Sequence, residues 1–318
     1  TCEESGSPDL PAYLDLLAPR FGDVALVAGL DSGCGNYEQL WVTTSLRGLA
    51  GGTLTVEVLA EGVHSGNASG LVPSSMRIAR QLLNRIDEPA TGRVLDPMFH
   101  ADIPAGRLAQ AKAAGSILGE QVWRQFPWIG CSHGEAGQAH AMPTTTDPVE
   151  GILARTWRPA LSVTGAAGFP SIDSAGNVLR PKTTFKLSLR LPPTVDGELA
   201  TQRLKALLEA DPPYNARVSF NADWGATGWD APETAPWLAR AADDASRAAF
   251  GRPAAWMGEG GTIPFMNMLG ARFPRAQFLT TGVLGPRSNA HGPNEFLHID
   301  CAKRLSGAVA AIVAQVPA

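Results

Sequence analysis

No apolar run in this chain approaches the roughly 18 residues that a membrane-spanning helix needs. The longest candidate, Gly307 to Ala314, reads as one buried helix. Cysteine is scarce: Cys2, Cys34, Cys131 and Cys301 are widely spaced and form no CxxC pair. That spacing argues against a structural zinc knuckle and against a disulfide framework, and it suits a reducing, cytoplasmic setting. Strong charge of one sign is missing as well. A net charge of −4 with 18% charged residues gives no electrostatic reason to expect nucleic acid or an anionic membrane as partner. There is no internal repeat, no low-complexity segment and no signal peptide. There is also no initiating Met, and the chain opens inside a motif. The expectation is that an N-terminal part is missing.

What is present is an ordinary globular composition, 44% hydrophobic over 318 residues, enough for two domains with separate cores. Ser7-Pro8 reads as an N-cap and first helical residue, followed by Leu10, Tyr13, Leu14 and Leu17 at helical spacing. Val24 to Leu30 is a short apolar run ending at Asp31-Ser32-Gly33, the pattern of a doubly buried parallel strand that leads into a functional loop. Leu40 to Leu46 predicts a further strand.

From Gly51 the period becomes two. Leu54, Val56 and Val58 alternate with polar residues, and Phe185, Leu187, Leu189 and Leu191 alternate with Lys186, Ser188 and Arg190. With helices from Ser74 and over Asp196 to Ala210, and strands at Ala160 to Thr164 and Ala216 to Ala222, the order is β-α-β-β-α-β, a ferredoxin-like module. The expected fold is therefore α/β. Residues 1–48 and 223–318 form a discontinuous α/β domain, and 49–222 form an inserted domain with its own insertion at about 88–159. That insertion holds a helix around Leu108 to Phe126. Beyond Trp224, a helix over Trp237 to Phe250, strands at Ala254 to Met257 and Ala276 to Leu284, and a last helix capped by Asp300 return to α/β character.

Three places in the α/β part carry polar groups suited to chemistry: Glu3-Glu4, Asp31, and the His291 to Glu295 turn. Ligands of open α/β sheets bind beyond the carboxyl ends of strands. Carboxylates and an imidazole suit zinc, manganese or cobalt. Adjacent side chains such as Glu3 and Glu4 point different ways on an extended backbone. One can hold a metal while its neighbour reaches a water on that metal.

Six motifs stand in order: Cys2-Glu3-Glu4-Ser5-Gly6-Ser7, Leu30-Asp31-Ser32, Gly62-Val63-His64-Ser65-Gly66, Phe185 to Pro192, Gly258-Glu259-Gly260-Gly261-Thr262-Ile263-Pro264, and His291-Gly292-Pro293-Asn294-Glu295. In order and approximate spacing the chain resembles the co-catalytic di-zinc metallopeptidases, the family of carnosine dipeptidase, aminoacylase-1, glutamate carboxypeptidase and succinyl-diaminopimelate desuccinylase. Its wording is closest to the dipeptidase branch. The resemblance implies a zinc-peptidase-like catalytic domain, partial here, with 49–222 as a lid and dimerisation domain. It implies two divalent metal ions, zinc first with manganese or cobalt as alternatives. Glu3 falls on the general base, Glu4 and His291 on ligands of one metal, and Asp31 on a ligand of the other. His64 falls on the lid histidine that stabilises an oxyanion, and Arg190 on the clamp for the substrate carboxylate. Asn177, Glu259 and Thr262 fall on residues lining the substrate pocket.

The implied activity is hydrolysis of a peptide or amide bond in a small substrate with a free carboxylate, a dipeptidase or carboxypeptidase foremost. An N-acyl-amino-acid deacylase is the alternative within the family. A homodimer formed through the lid is the implied partner. One departure matters. The family uses a further His and a bridging Asp ahead of the Glu pair, and this sequence has neither, so the chain as written is short of ligands for two metals. That shortfall favours a non-catalytic binding or assembly protein on the same fold as the alternative of another class. Gly130-Cys131-Ser132-His133-Gly134 matches the G-x-S-x-G pattern of a serine hydrolase. It lacks the strand before and the helix after that such an elbow requires.

Overall fold

In the computed structural model, residues 7–129 and 141–317 are described. The chain begins with α1 (Leu10–Phe21), β1 (Leu26–Gly29), β2 (Trp41–Leu46) and β3 (Gly48–Glu57). It continues through β4 (Val63–His64), α2 (Ser65–Ala68), α3 (Ser75–Leu83), α4 (Ala105–Leu118), α5 (Gln121–Arg124) and α6 (Pro148–Thr156). Then come β5 (Ala160–Ala167), β6 (Val178–Leu179), β7 (Lys182–Leu191), α7 (Gly197–Glu209), β8 (Arg217–Ala226) and β9 (Trp229–Asp230). The last elements are α8 (Pro236–Phe250), β10 (Ala255–Glu259), α9 (Pro264–Arg272), β11 (Gln277–Thr280) and α10 (Ile299–Val313). No helix among the described residues is long and apolar enough to cross a membrane.

Two compact units result. One takes in the chain up to Leu46, Asp102–Trp157, and everything from Trp229 onward. The other is Arg47–Ala101 with Arg158–Gly228.

The second unit is built by period-two patterning. Its sheet has the order β5-β7-β3-β8, and every neighbouring pair is antiparallel. This is the ferredoxin-like arrangement, and β3 and β7 pair along ten residues, from Gly48↔Leu191 to Glu57↔Lys182. Leu54 and Val56 of β3, Phe185, Leu187, Leu189 and Leu191 of β7, and Phe220 of β8 all point to one face. There they meet Ile78, Ala79 and Leu82 of α3 and Ala200, Leu204 and Leu208 of α7 in a single core. Each fully buried leucine contributes about 1.5–3 kcal/mol relative to exposure. Both helices start where side chains cap them: Ser74 accepts from the Arg77 N–H at 3.4 Å, and Asp196 from the Leu199 N–H at 2.9 Å.

In the first unit, β2 is the centre. It runs parallel to β10 and antiparallel to β9, and all six of its residues are buried. Alternate side chains serve two layers. Trp41 packs with Met257 against Ala111, Ala114 and Leu118 of α4 and Ile152 and Leu153 of α6. Val42 packs with Leu238, Ala241 and Ala242 of α8 and Leu305, Ala308 and Ile312 of α10. A second, two-stranded piece pairs β1 and β11 in parallel.

Several expectations are corrected here. Residues Asp102–Trp157, expected as an insertion of the lid, belong to the first unit because α4 and α6 supply one of the two layers over β2 and β10. An ion pair fastens them: Arg107 Nε lies 2.7 Å from Asp230 Oδ1, with both side chains largely shielded. The single helix expected around Leu108 to Phe126 is two, α4 and α5, broken at Gly119 with φ +51°. The run at 24–30 is a parallel strand, but it is only half-buried, because β11 is its one strand neighbour among the described residues. The strand expected over Ala276 to Leu284 is only Gln277–Thr280. The first helix begins at Leu10 behind Asp9 rather than at Ser7-Pro8, without a side-chain cap. The last helix is capped by His298 rather than Asp300, its Nδ1 accepting from the Cys301 N–H at 3.1 Å.

Candidate functional site

Glu3, Glu4 and the Gly130 to Gly134 motif lie outside the described residues. In the first unit, parallel pairing sets where the remaining residues stand. Asp31 follows β1, Glu259 ends β10, and His291 lies in the loop after β11, all beyond the carboxyl ends of parallel strands. The turn at Asp31-Ser32-Gly33 is held on two sides. Ser32 Oγ is 2.7 Å from Thr43 Oγ1 of β2, a buried pair, and the Cys34 N–H donates to the Leu284 carbonyl at 3.1 Å. Gly282, just after β11, packs so closely on the Ser32 backbone that no side chain could replace its hydrogen.

Glu259 joins this turn. Its Oε1 would lie 2.8 Å from a Cβ at Gly33, so carboxylate and turn are in contact. The Gly260 N–H also donates to Glu259 Oε2 at 3.3 Å. Thr262 sits, half-buried, in the turn between β10 and α9. The structure therefore brings Glu259 onto the Asp31 turn, although the two are more than 220 residues apart in sequence.

His291 is exposed and has φ +60°, within a loop where Arg287, Asn289 and Asn294 also take positive φ. Such backbone is uncommon outside glycine and asparagine, and clusters of it mark functional loops. The loop is tied internally by the His291 N–H donating to Glu295 Oε2 at 3.1 Å. Asp31 is exposed too. A carboxylate and an imidazole fit a divalent zinc-like ion in kind. In number they fall short, since a catalytic zinc normally has three protein ligands, and among the described residues no three His, Cys, Asp or Glu side chains form a metal-holding group.

In the second unit, His64 and Asn177 share one ribbon. β4 pairs with β6 through His64↔Val178, and the Ser65 N–H donates to the Asn177 carbonyl at 2.9 Å. His64 is exposed and caps the short α2, its Nδ1 accepting from the Gly66 N–H at 3.1 Å. In a neutral imidazole that bond leaves the proton on Nε2. Arg190 stands on β7, opposite Leu49 of β3 and Ala160 of β5, on the face away from α3 and α7. It is half-buried, and burial lowers its guanidinium below the usual arginine range.

The sequence reading missed one chemical feature in the first unit. Cys34 and Cys301 are both buried free thiols. Nothing in their spacing could have announced it.

Comparison with known families matches residues 44–215, more than half of the chain, to the Peptidase dimerisation domain. A search of curated proteins by sequence finds no match. Among solved structures, the chain is similar to the di-peptidase Dug1p of Saccharomyces cerevisiae at 20% identity and a TM-score of 0.76, covering 99% of this chain and 64% of that one. Human carnosine dipeptidase 1 matches at 19% identity and a TM-score of 0.75, covering 99% and 65%. An M20 family metallo-carboxypeptidase, Sso-CP2 of Sulfolobus solfataricus, matches at 18% identity and a TM-score of 0.76, covering 99% and 68%. At these identities the likeness shows a shared fold. The chain spans about two thirds of the length of these structures.

Proposed function

The chain belongs to the M20 peptidase family, and from that premise we propose that it serves the hydrolysis of a peptide or amide bond in a small substrate bearing a free carboxylate, a dipeptide foremost. The observation that carries this reading is Arg190, a half-buried guanidinium on the open face of the lid sheet. The planar guanidinium fork can donate two parallel hydrogen bonds to an incoming carboxylate.

In this reading Arg190 orients the substrate by its carboxylate, and Asn177 contributes a polar edge on the ribbon that carries His64. His64 Nε2–H donates to the oxygen that becomes negative as the carbonyl carbon turns tetrahedral. Glu3 takes the proton of the attacking water and delivers it to the leaving amine. Glu259 and Thr262 line the pocket. Glu4, Asp31 and His291 are the residues of this chain that would hold divalent ions, with zinc first among the candidates. Bound there, such an ion lowers the pKa of water and polarises the scissile carbonyl. The lid pairs two copies of the chain, and β5, an edge strand of its sheet among the described residues, is a place for that pairing.

The test compares hydrolysis of a dipeptide with that of the matching N-acetyl amino acid, with and without added zinc, for the chain and for Arg190→Ala. Dipeptide turnover lost with Arg190 supports the reading, whereas preference for the N-acetyl compound makes the protein a deacylase. Zinc-independent inactivity toward both, with dipeptide still bound, makes it a binding protein.

A further inference from the structure

The first unit contains a cleft that the proposed hydrolysis does not use. Asp31 and His291 follow the carboxyl ends of the parallel strands β1 and β11, whereas this cleft lies where the two strands begin. One wall is Gly22 to Val24, between α1 and β1, and the other is Arg272 to Ala276, between the end of α9 and β11. Its volume is about 370 Å³, the size of a small-molecule site.

The floor is apolar and continuous with the core. Ala276 is buried, and Val24 and Phe273 pack against the cluster that contains it. Phe21 meets the Phe273 ring edge-on, at 6.2 Å between centroids. Gly22, at φ +59°, turns the chain out of α1 through a backbone that favours glycine, and Asp23 and Val24 follow it into the wall. The rim is charged. Asp23 Oδ1 lies 2.6 Å from Arg275 Nη2, and the two side chains are 91% and 84% exposed. Ion pairs this exposed contribute little to stability, so a ligand group readily takes the place of either partner. Arg275 uses one nitrogen for Asp23, and a guanidinium has five N–H donors, enough for a second carboxylate. Arg272 is instead fixed as wall: its Nη1 lies 2.6 Å from Asp15 Oδ1, and its Nη2 donates to the Leu14 carbonyl at 2.9 Å.

We propose that this cleft binds a free α-amino acid with an apolar side chain. The α-carboxylate pairs with Arg275, the α-ammonium pairs with Asp23, and the side chain lies on Val24, Phe273 and Ala276. An α-amino acid fits because its two charges flank a single carbon atom, and Asp23 and Arg275 stand in direct contact. In a peptide the two charges are at least one amide further apart, and a plain carboxylic acid offers Asp23 no new partner. Placed between them, the zwitterion exchanges one exposed ion pair for two, and its side chain removes the apolar floor from water. The assignment rests on the cleft alone and holds whether or not the chain hydrolyses dipeptides.

The experiment titrates the 15N-labelled full chain with L-leucine, without added metal, and follows the backbone amide shifts. The expected response is a saturable shift of the Gly22, Val24 and Arg275 amides. Leucinamide lacks the carboxylate, 4-methylpentanoate lacks the ammonium and glycine lacks the side chain, and each should bind about tenfold more weakly. Arg275→Ala and Asp23→Ala should each weaken leucine binding by about tenfold. Both side chains are exposed, so neither change should disturb the fold, and the same spectra report it. Arg190→Ala, on the lid, should leave leucine affinity within about twofold. The proposal is overturned if leucine produces no saturable shift of these amides, or if leucinamide or 4-methylpentanoate binds as tightly as leucine. It is equally overturned if Arg190→Ala abolishes leucine binding while Arg275→Ala leaves it unchanged, for leucine then occupies the proposed substrate site. Failure of the hydrolysis reading by itself leaves these affinities as they are.

Discussion

The two units of this protein reach stability in different ways. The lid unit is built around one four-stranded antiparallel sheet, with the β4–β6 ribbon beside it, two capped helices and a single core in which β3, β7 and β8 meet α3 and α7. The other unit divides its apolar residues among three clusters and two separate small sheets. Its β1 is only half-buried, and α1 buries none of its residues. The lid can therefore hold Arg190 of β7 on a rigid frame, while the Asp31 loop of the first unit depends on close backbone contacts such as Gly282 on Ser32. Loops held by few contacts open at lower free energy than core strands do.

The sharpest way to test this contrast is to hollow the lid. Leu187→Ala removes a fully buried side chain at the centre of β7. It should cost about 2–5 kcal/mol of stability. Hydrogen exchange should accelerate together in β3, β7 and β8 and stay unchanged in α8 and α10. If protection falls equally in both units, the lid is not an independent core.

Next in size is His64→Ala. Loss of an oxyanion donor reduces kcat by about 10²–10³-fold. The melting temperature should hardly move, because His64 is exposed and caps only the four-residue α2. A large loss of stability with little change in kcat would make His64 a structural cap instead. Arg190→Lys keeps the charge and loses the fork, so it should raise KM and lower kcat/KM by about 10–100-fold, the worth of roughly one charge-assisted hydrogen bond. Steady-state kinetics on a dipeptide against its carboxamide analogue, which lacks the anion, reads this directly. The variant should keep only part of the discrimination between them.

A smaller effect comes from Asp96 in the lid. Burial pushes its carboxyl up, but the Met98 N–H and Arg203, 2.7 Å away, outweigh it and hold the group below the usual carboxylate range. A lowered folded value means stability that is present above the unfolded value and lost as pH falls through the folded one. Asp96→Asn keeps the capping oxygen and removes the charge. Its deficit near neutral pH, a few tenths to about 1 kcal/mol, should shrink to nothing in acid denaturation series. The smallest change should be Leu16→Ala on α1, where the side chain is 72% exposed. Urea midpoints should agree with the parent within about 0.5 kcal/mol. A larger loss would show that something covers α1 in solution.

Much of this was readable in the chain itself. Period-two alternation from Phe185 to Leu191 announced a strand with one wet face, and that face carries Arg190. Gly251 announced the end of α8, which it closes at φ +79°. Local periodicity reports how many faces a segment must bury, and capping chemistry reports where helices start or stop. Both act over a few residues, so sequence alone determines them. The ordered motifs likewise carried the family and the candidate residues.

What the residues could not disclose were the choices of partner. The apolar run at 24–30 has the composition of a strand buried on both faces, yet the packing available to β1 leaves it half-buried. Residues Asp102–Trp157 carry helical patterning that would suit either unit, and only the fit of α4 and α6 onto β2 and β10 assigned them to the first. Glu259 reaches Gly33 across a long separation for which no periodicity exists. The sequence determined the elements and their exposed chemistry. Tertiary structure decided which of them touch, because contact at a distance is set by the packing of whole layers, a property that no short stretch of chain possesses.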